Sequence, residues 1–407
     1  MYKSILFAVF TSFTLIAVPV SARPYAGLSG LAASADSAAT AGTNPAGIMR
    51  FEDSSQRVEL LAFFSESTWE GQLGDGESYT SDDSTDIIVP SGYFVKPIND
   101  DWAFSFTILG AGFSDDLGDW PGRYAIESYD SLNISAFPSI AYRINDKLSV
   151  AGSLSLTYAS YEQERRVANL FDPTFGDGSA ELDTDGFDAG FGLSLLYEIN
   201  DRTRWGLSYL SEVDPELDGD TKYRGLGPNT ERVLDAGGFL NSDVEVRSRS
   251  PQSLLAGLYH EFDNNHAVTI DLAWADFSRF QLSEFYFDGE AVADTDTEYQ
   301  DIWAIASSYS WPLSSRWMMS VGGFYATSGV EDEDRSAILR LDELWSVGVE
   351  AEWQWTEHRN VLFGISYLTL GDAPVDAIEI PLLGSTQGEY SSRDIIMLRL
   401  GMTFGAL

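Results

Sequence analysis

The sequence predicts an all-β protein, a transmembrane antiparallel β-barrel of about fourteen strands with an N-terminal plug in its lumen. Three observations predict it. Long stretches alternate apolar and polar residues with period two, and the apolar face often carries aromatics at its ends. Short turns alternate strictly with long acidic connections. Beyond the N-terminus no uninterrupted apolar run reaches the roughly 18 residues of a spanning helix, while aromatic residues make up 13% of the chain.

The first element is an export signal. Residues 1–22 carry Lys3, an apolar run from Ile5 to Val18 and the small-residue ending Val20-Ser21-Ala22. The run is broken by Thr11, Ser12 and Thr14 and is shorter than the roughly 20 residues that cross a bilayer, so it reads as a cleaved secretory peptide.

Residues 23–56 follow, rich in Ala, Ser and Gly and with little periodicity. They include "ATAGTNPAGIM" (39–49), in which Pro45 fixes its own φ and Asn44 is a turn residue. Small residues permit close backbone packing against a wall. This segment is expected to be ordered inside the barrel rather than a loose tail.

Residues 57–407 form the barrel. In "LWSVGVEAEWQW", Trp345, Val347, Val349, Ala351, Trp353 and Trp355 share one face, and Ser346, Gly348, Glu350, Glu352 and Gln354 share the other. Successive strand side chains point to opposite faces, so one face meets lipid and one meets the lumen. "KLSVAGSLSLTYA" and "YSSRDIIMLRLGMTF" behave alike. The expected strands lie near 57–68, 87–97, 101–113, 131–144, 147–163, 187–199, 203–213, 242–262, 265–276, 298–311, 316–327, 344–356, 360–370 and 388–404.

"IND" recurs at Ile98–Asp100, Ile144–Asp146 and Ile199–Asp201, each time as a tight turn, and "FDNN", "PLSS" and "TEHR" do the same work. The seven opposite connections, near 69–86, 114–130, 164–186, 214–241, 277–297, 328–343 and 371–387, read as external loops. Closure into a barrel is required because lipid cannot satisfy an open sheet edge.

Composition excludes several functions. With 63 acidic and 24 basic residues the net charge is −39, which disfavours nucleic-acid phosphates. There is no cysteine, so neither disulfides nor thiol chemistry. The three histidines, His260, His266 and His358, have no nucleophile or metal-ligand set spaced around them. No enzyme activity, metal or cofactor is expected.

Five stretches in order, "NPAGI", "FVKPINDDWAFSFTI", "NISAFPSIAYRINDKLSVAGSLSLTYA", "DLAWADFSRFQ" and "DELWSVGVEAEW", resemble the long-chain fatty acid outer-membrane transporter family (FadL-type), which includes TodX-like aromatic-hydrocarbon channels. The resemblance spans nearly the whole mature chain, and the external loops diverge. It implies a Gram-negative outer membrane, a barrel of fourteen strands, and a hatch carrying the Asn-Pro-Ala motif, here Asn44, Pro45 and Ala46. It also implies loops that capture a hydrophobic ligand, such as a fatty acid, and a kinked third strand that opens the wall sideways into outer-membrane lipid. In "WAFSFTILGAGF" the kink is placed near Ser105–Gly112, with Gly110 and Gly112 as the bend.

Capture is expected from Leu170, Phe171 and Phe175 in one loop. Leu226, Val233, Leu234, Phe239 and Leu240 serve in the next, where "NTERVLDAGGFL" could form a short amphipathic helix. Arg165 is the candidate partner for a carboxylate, while Arg393 and Arg399 face the lumen by alternation, where Glu350 and Glu352 could pair with them. A monomer is expected. The alternative function is an acidic diffusion porin for hydrophilic solutes or cations.

Overall fold

The computed structural model describes residues 26, 28–73, 78–116, 123–124, 127–240, 243–279, 282–287, 290–293, 299–331, 342–356, 358–370, 373–380 and 384–405. The export signal lies outside them. Fourteen strands close into one antiparallel barrel. They are β1 (Ser55–Leu73), β2 (Ser78–Pro97), β3 (Trp102–Asp116), β4 (Ser128–Asn145), β5 (Leu148–Val167), β6 (Gly178–Asn200) and β7 (Thr203–Leu210). The second half holds β8 (Ser253–Glu261), β9 (Ala267–Ala275), β10 (Ile302–Ser314), β11 (Trp317–Ala326), β12 (Leu344–Thr356), β13 (Arg359–Thr369) and β14 (Gly384–Phe404). Each pairs with its neighbours, and β14 pairs with β1, from Gln56 opposite Phe404 to Leu73 opposite Thr386. Closure leaves no edge for lipid to meet.

Alternation sorts the faces as expected. On β12, Trp345, Val347, Val349 and Trp355 are exposed, whereas Ser346, Glu350 and Glu352 are buried. Trp345 and Trp353 lie about 26 Å apart along the strand at roughly 3.3 Å per residue, close to the height of an outer-membrane apolar band. Trp353 stacks on Trp317 at 5.9 Å near the short turns, and Trp345 meets Tyr367 at 5.9 Å near the long loops, so aromatics flank the band at both ends.

The repeated "IND" has one mechanism. Asn99 Oδ1 accepts from the Asp101 and Trp102 amides, and Asn145 Oδ1 from those of Lys147 and Leu148. Asn200 Oδ1 accepts from the Arg202 amide. The asparagine side chain closes each turn locally.

The loop end differs from the expected boundaries. The acidic stretch 69–86 is not a loop, because β1 runs to Leu73 and β2 starts at Ser78. Pairing continues there because backbone hydrogen bonds need no lipid, whereas water on both faces removes the apolar alternation that marks a strand in sequence. For the same reason the connection at 214–241 carries a strand, Glu216–Arg224, that pairs with β6, ahead of the short helix expected there, which spans Pro228–Ala236. The expected strand 242–262 is two, Asp243–Ser248 and β8, and further short strands occupy Leu282–Phe287, Glu290–Ala293 and Ala373–Ile380. At the other end β1 begins at Ser55, two residues ahead of expectation.

Two barrel ladders lose pairs without a change of register. β2 and β3 pair from Pro97 opposite Ala103 to Ser91 opposite Leu109, skip Val89–Pro90 and Gly110–Ala111, resume only at Ile88 opposite Gly112, and pair no further. Proline has no N–H to give the ladder. On its other side β3 pairs with β4 without a gap, from Trp102 opposite Tyr142 to Asp116 opposite Ser128. The β4–β5 ladder skips Phe137 and Pro138.

Candidate functional site

The segment ahead of β1 lies against the inward faces of the wall. Its alanines pack like a small-residue surface: Ala35, Ala38, Ala39, Ala41 and Ala46 join Ile48, Met49 and Phe51 against Tyr93, Val95, Ala103, Ala141, Ala151 and Leu196. Two short turns shape it, a helix over Thr40–Thr43 and a 3₁₀ helix over Pro45–Arg50. Asn44, Pro45 and Ala46 are all buried at their junction.

Asn44 joins the turns of this segment to each other and to the wall. Its Oδ1 accepts from the Ala46 amide at 3.2 Å, which starts the 3₁₀ turn, and Pro45 supplies the helical φ at the first position. Its Nδ2 donates to Ala32 O at 2.6 Å and to Leu195 O of β6 at 3.0 Å, joining the segment to itself and to the wall.

Two charged side chains hold the preceding stretch. The Asp271 carboxylate, on β9, accepts from the successive amides of Gly30, Leu31 and Ala32, the last two at 3.2 Å. Arg204, on β7, donates to Ala33 O at 2.8 Å and to Ser34 O, with its guanidinium 3.8 Å from the Tyr259 ring centre. Charge-assisted bonds of this kind are the strong ones. Arg143 donates to Met49 O, and Arg50 pairs with Glu198. Leu28 and Ala35 take positive φ, 57° and 45°, a strain that such a set of anchors can hold. Neither Asp271 nor Arg204 was singled out by sequence, although each sits on the inward phase of an otherwise outward-apolar strand, and that phase is the signal.

The lumen is divided in chemistry. On its loop side Leu61, Phe63, Ile87, Val89, Leu368, Ile395 and Met397 close over Leu28 and Leu31 of the N-terminal segment. This apolar cluster borders the interrupted β2–β3 ladder, since Val89 adjoins Pro90. Ser105 and Thr107 are fully buried on β3, on its inward phase. Gly110 lies on the outward phase, and a Cβ there would stand 3.5 Å from the Pro90 ring. A Cβ at Gly112 would stand 3.8 Å from Leu132.

The two expected capture loops form one body. Asn169 accepts from the Gly227 amide at 2.8 Å and donates to Gly176 O and Gly225 O at 2.6 and 3.0 Å. Asp172 accepts from the Asn229 and Thr230 amides, both at 2.8 Å, and so caps the helix Pro228–Ala236 from the other loop. A Cβ at Gly227 would lie 2.5 Å from Asp172 Cγ, so this close approach requires glycine. The body presents Leu170, Phe171, Phe175 and Val233 to solvent, with Leu226, Leu234, Phe239 and Leu240 half-buried behind them. Arg165 is half-buried at the loop end of β5, opposite Ala180, and its neighbour Arg166 pairs with Glu127 at 2.7 Å. The Arg393 side chain lies outside the described residues.

Burial alone would raise the Asp172 carboxyl, but the hydrogen bonds from Thr230 and Asn229 outweigh it and hold it below its ordinary 3.8. A depressed carboxyl contributes stability above its unfolded value and loses it as pH falls through the folded one. The loop body is therefore expected to hold above 3.8 and to come apart at lower pH. Amide exchange at Asn229 and Thr230 checks this, and protection unchanged at about pH 2 would contradict it.

Residues 12–397 match the family described as "Outer membrane protein transport protein (OMPP1/FadL/TodX)". A long-chain fatty acid transport protein from Escherichia coli O6:H1 is 27% identical over 315 residues, 69% of each chain. Outer membrane protein P1 of Haemophilus influenzae is 24% identical over 320 residues, 69% of this chain and 65% of that one. Among solved structures, a Pseudomonas aeruginosa FadL homologue superposes with a TM-score of 0.82 at 15% identity, over 95% of this chain and 100% of the other. The Pseudomonas putida toluene transporter TodX gives 0.69 at 16% identity, over 95% and 99%. The likeness to the two solved structures is one of fold, and the family match carries the assignment: the chain belongs to the OMPP1/FadL/TodX family of outer membrane transport proteins.

Proposed function

We propose that this protein takes up hydrophobic molecules, long-chain fatty acids or related hydrocarbons, and releases them sideways through its wall. Molecules settle first on Leu170, Phe171, Phe175 and Val233, then pass along the apolar cluster on the loop side of the lumen. Residues 28–51, with Asn44-Pro45-Ala46 at their core, act as a hatch across the axial path. Exit lies between β2 and β3, at Pro90 and Gly110.

The observation that carries the reading is the interrupted β2–β3 ladder beside an apolar cluster built partly from the anchored N-terminal segment. An acyl chain gains roughly 0.8 kcal/mol per CH₂ taken out of water. A route from apolar patch to apolar cluster to lipid keeps that gain throughout, whereas a water-filled pore offers none. The Ser105 and Thr107 hydroxyls, buried with no partner among the described residues, give a passing polar head something to hydrogen-bond. Arg165 is placed to meet a carboxylate at the entrance.

In planar bilayers the wild-type protein is expected to be nearly silent. Large, stable ohmic steps would sink the uptake reading in favour of a diffusion porin. Native mass spectrometry of the purified protein is expected to find a co-purified lipid or hydrocarbon and so to name the ligand class.

A further inference from the structure

The N-terminal segment does not fill the whole lumen by itself. Its polar anchors go to β4, β6, β7, β9 and β11: Arg143, Ser194, Glu198, Arg204, Thr269, Asp271 and Ser320. Its helical turns pack on β2 to β6. Another sector, the turn-side half of β12, β13, β14 and β1, is occupied by the wall's own side chains.

That sector is ionic. Arg399, on β14, grips two carboxylates. Its Nη2 donates to both oxygens of Glu59 on β1, at 3.0 and 3.1 Å. Its Nη1 donates to both oxygens of Glu350 on β12, at 2.9 and 3.1 Å. Arg57 also donates to Glu59, and donates to Thr403 at 2.9 Å. The four charged side chains are at most 2% exposed. To reach Glu350 the arginine crosses β13 at Gly364, where a Cβ would stand 2.9 Å from Glu350 Cγ and 3.2 Å from Arg399 Cβ. The cluster thus spans four strands and straddles the seam where β14 meets β1.

Charges this dry are costly unless fully paired. A staple between first and last strands could be made from apolar side chains, without that cost. What apolar residues would not add is a charge-balanced block across a sector where water would otherwise run. We infer that the Arg57–Glu59–Arg399–Glu350 cluster is a second ion seal, independent of the N-terminal segment, that keeps the barrel closed to ions in this sector when the segment shifts during transport. The inference does not depend on which molecule is taken up.

The test uses the full chain with Arg399→Ser and Glu350→Ser together, which leaves Glu59 paired with Arg57 and no lone buried cation. The expected result is stable conductance steps in planar bilayers, while uptake of a labelled fatty acid or toluene is retained. A folded double variant, judged by heat-modifiable migration, that stays as silent as wild type overturns the seal. A second variant covers failure to fold. Gly206→Val displaces the N-terminal segment and leaves the cluster intact. It is expected to conduct well below an open porin of this strand number, and porin-sized steps from it alone would overturn the proposal. Conductance in the unmodified protein would instead count against the uptake reading, so the two failures are distinguishable.

Discussion

Gly206→Val is expected to unseat the N-terminal segment while the barrel stays folded. Gly206 lies on β7 directly under the segment. A Cβ there would fall well inside van der Waals contact of Ala32 O and 2.5 Å from Asn44 Nδ2. Both neighbours belong to the anchored stretch, and Asn44 already bridges Ala32 and Leu195. Valine cannot be accommodated by a rotamer change, because the clash begins at Cβ.

Lifting Ala32 and Asn44 breaks the Asp271 and Arg204 bonds that flank them, and each buried charge-assisted bond is worth about 1.5–3 kcal/mol. Leu28 and Leu31 leave the apolar cluster with the segment. Losing one leucine contact of about 1.5 kcal/mol already corresponds to about tenfold in affinity. Uptake of a labelled long-chain substrate should therefore fall at least about tenfold, and residues 30–46 should become sensitive to protease added from the turn side. Normal uptake with a protease-resistant segment would remove the hatch from the proposed path.

Closing the wall is the second large effect. Gly110→Val with Gly112→Val should abolish most sideways release without unfolding the barrel. The added side chains have room, since the nearest atoms to their Cβ positions are the Pro90 ring at 3.5 Å and Leu132 at 3.8 Å. Both point to the lipid face, where an apolar branch costs nothing. Valine also favours the extended backbone that glycine does not hold, so the β2–β3 ladder should tighten over Pro90. Long-chain uptake is expected to drop by about tenfold or more, with native heat-modifiable migration and unchanged binding of ligand to the loops. If uptake were unaffected, exit would have to lie elsewhere, and the interrupted β4–β5 ladder at Pro138 would be the next place to look.

Much of the membrane-embedded part was legible in the sequence. Inside lipid, water is absent, every strand must alternate, and every backbone group must be paired by closure. Those constraints write themselves into residues such as Trp345, Val347 and Val349 against Ser346 and Glu350. The turns were legible for a local reason, because Asn99, Asn145 and Asn200 close them with their own side chains. Outside the lipid the constraint disappears, and so did the accuracy: 69–86 is mostly strand, and 242–262 is two strands rather than one.

The candidate site divides the same way. Asn44, Pro45 and Ala46 could be picked out by resemblance, and Phe171, Phe175 and Val233 as apolar residues stranded among acids. The residues that hold them could not. Asp172 caps a helix in another loop, and Asp271 receives amides some 240 positions earlier in the chain. Arg399 was legible as an inward partner of Glu350, but its bond to Glu59 across the closing seam was not.

The sequence by itself determined the barrel, its strand number, its two ends and the presence of a small-residue segment ahead of it, because alternation and turn chemistry are local and repeated. Only the tertiary structure decided which inward charges pin that segment, which seal the seam, and where the ladder parts. Those depend on contacts between residues far apart in the chain, and a contact between strands leaves no period in either of them.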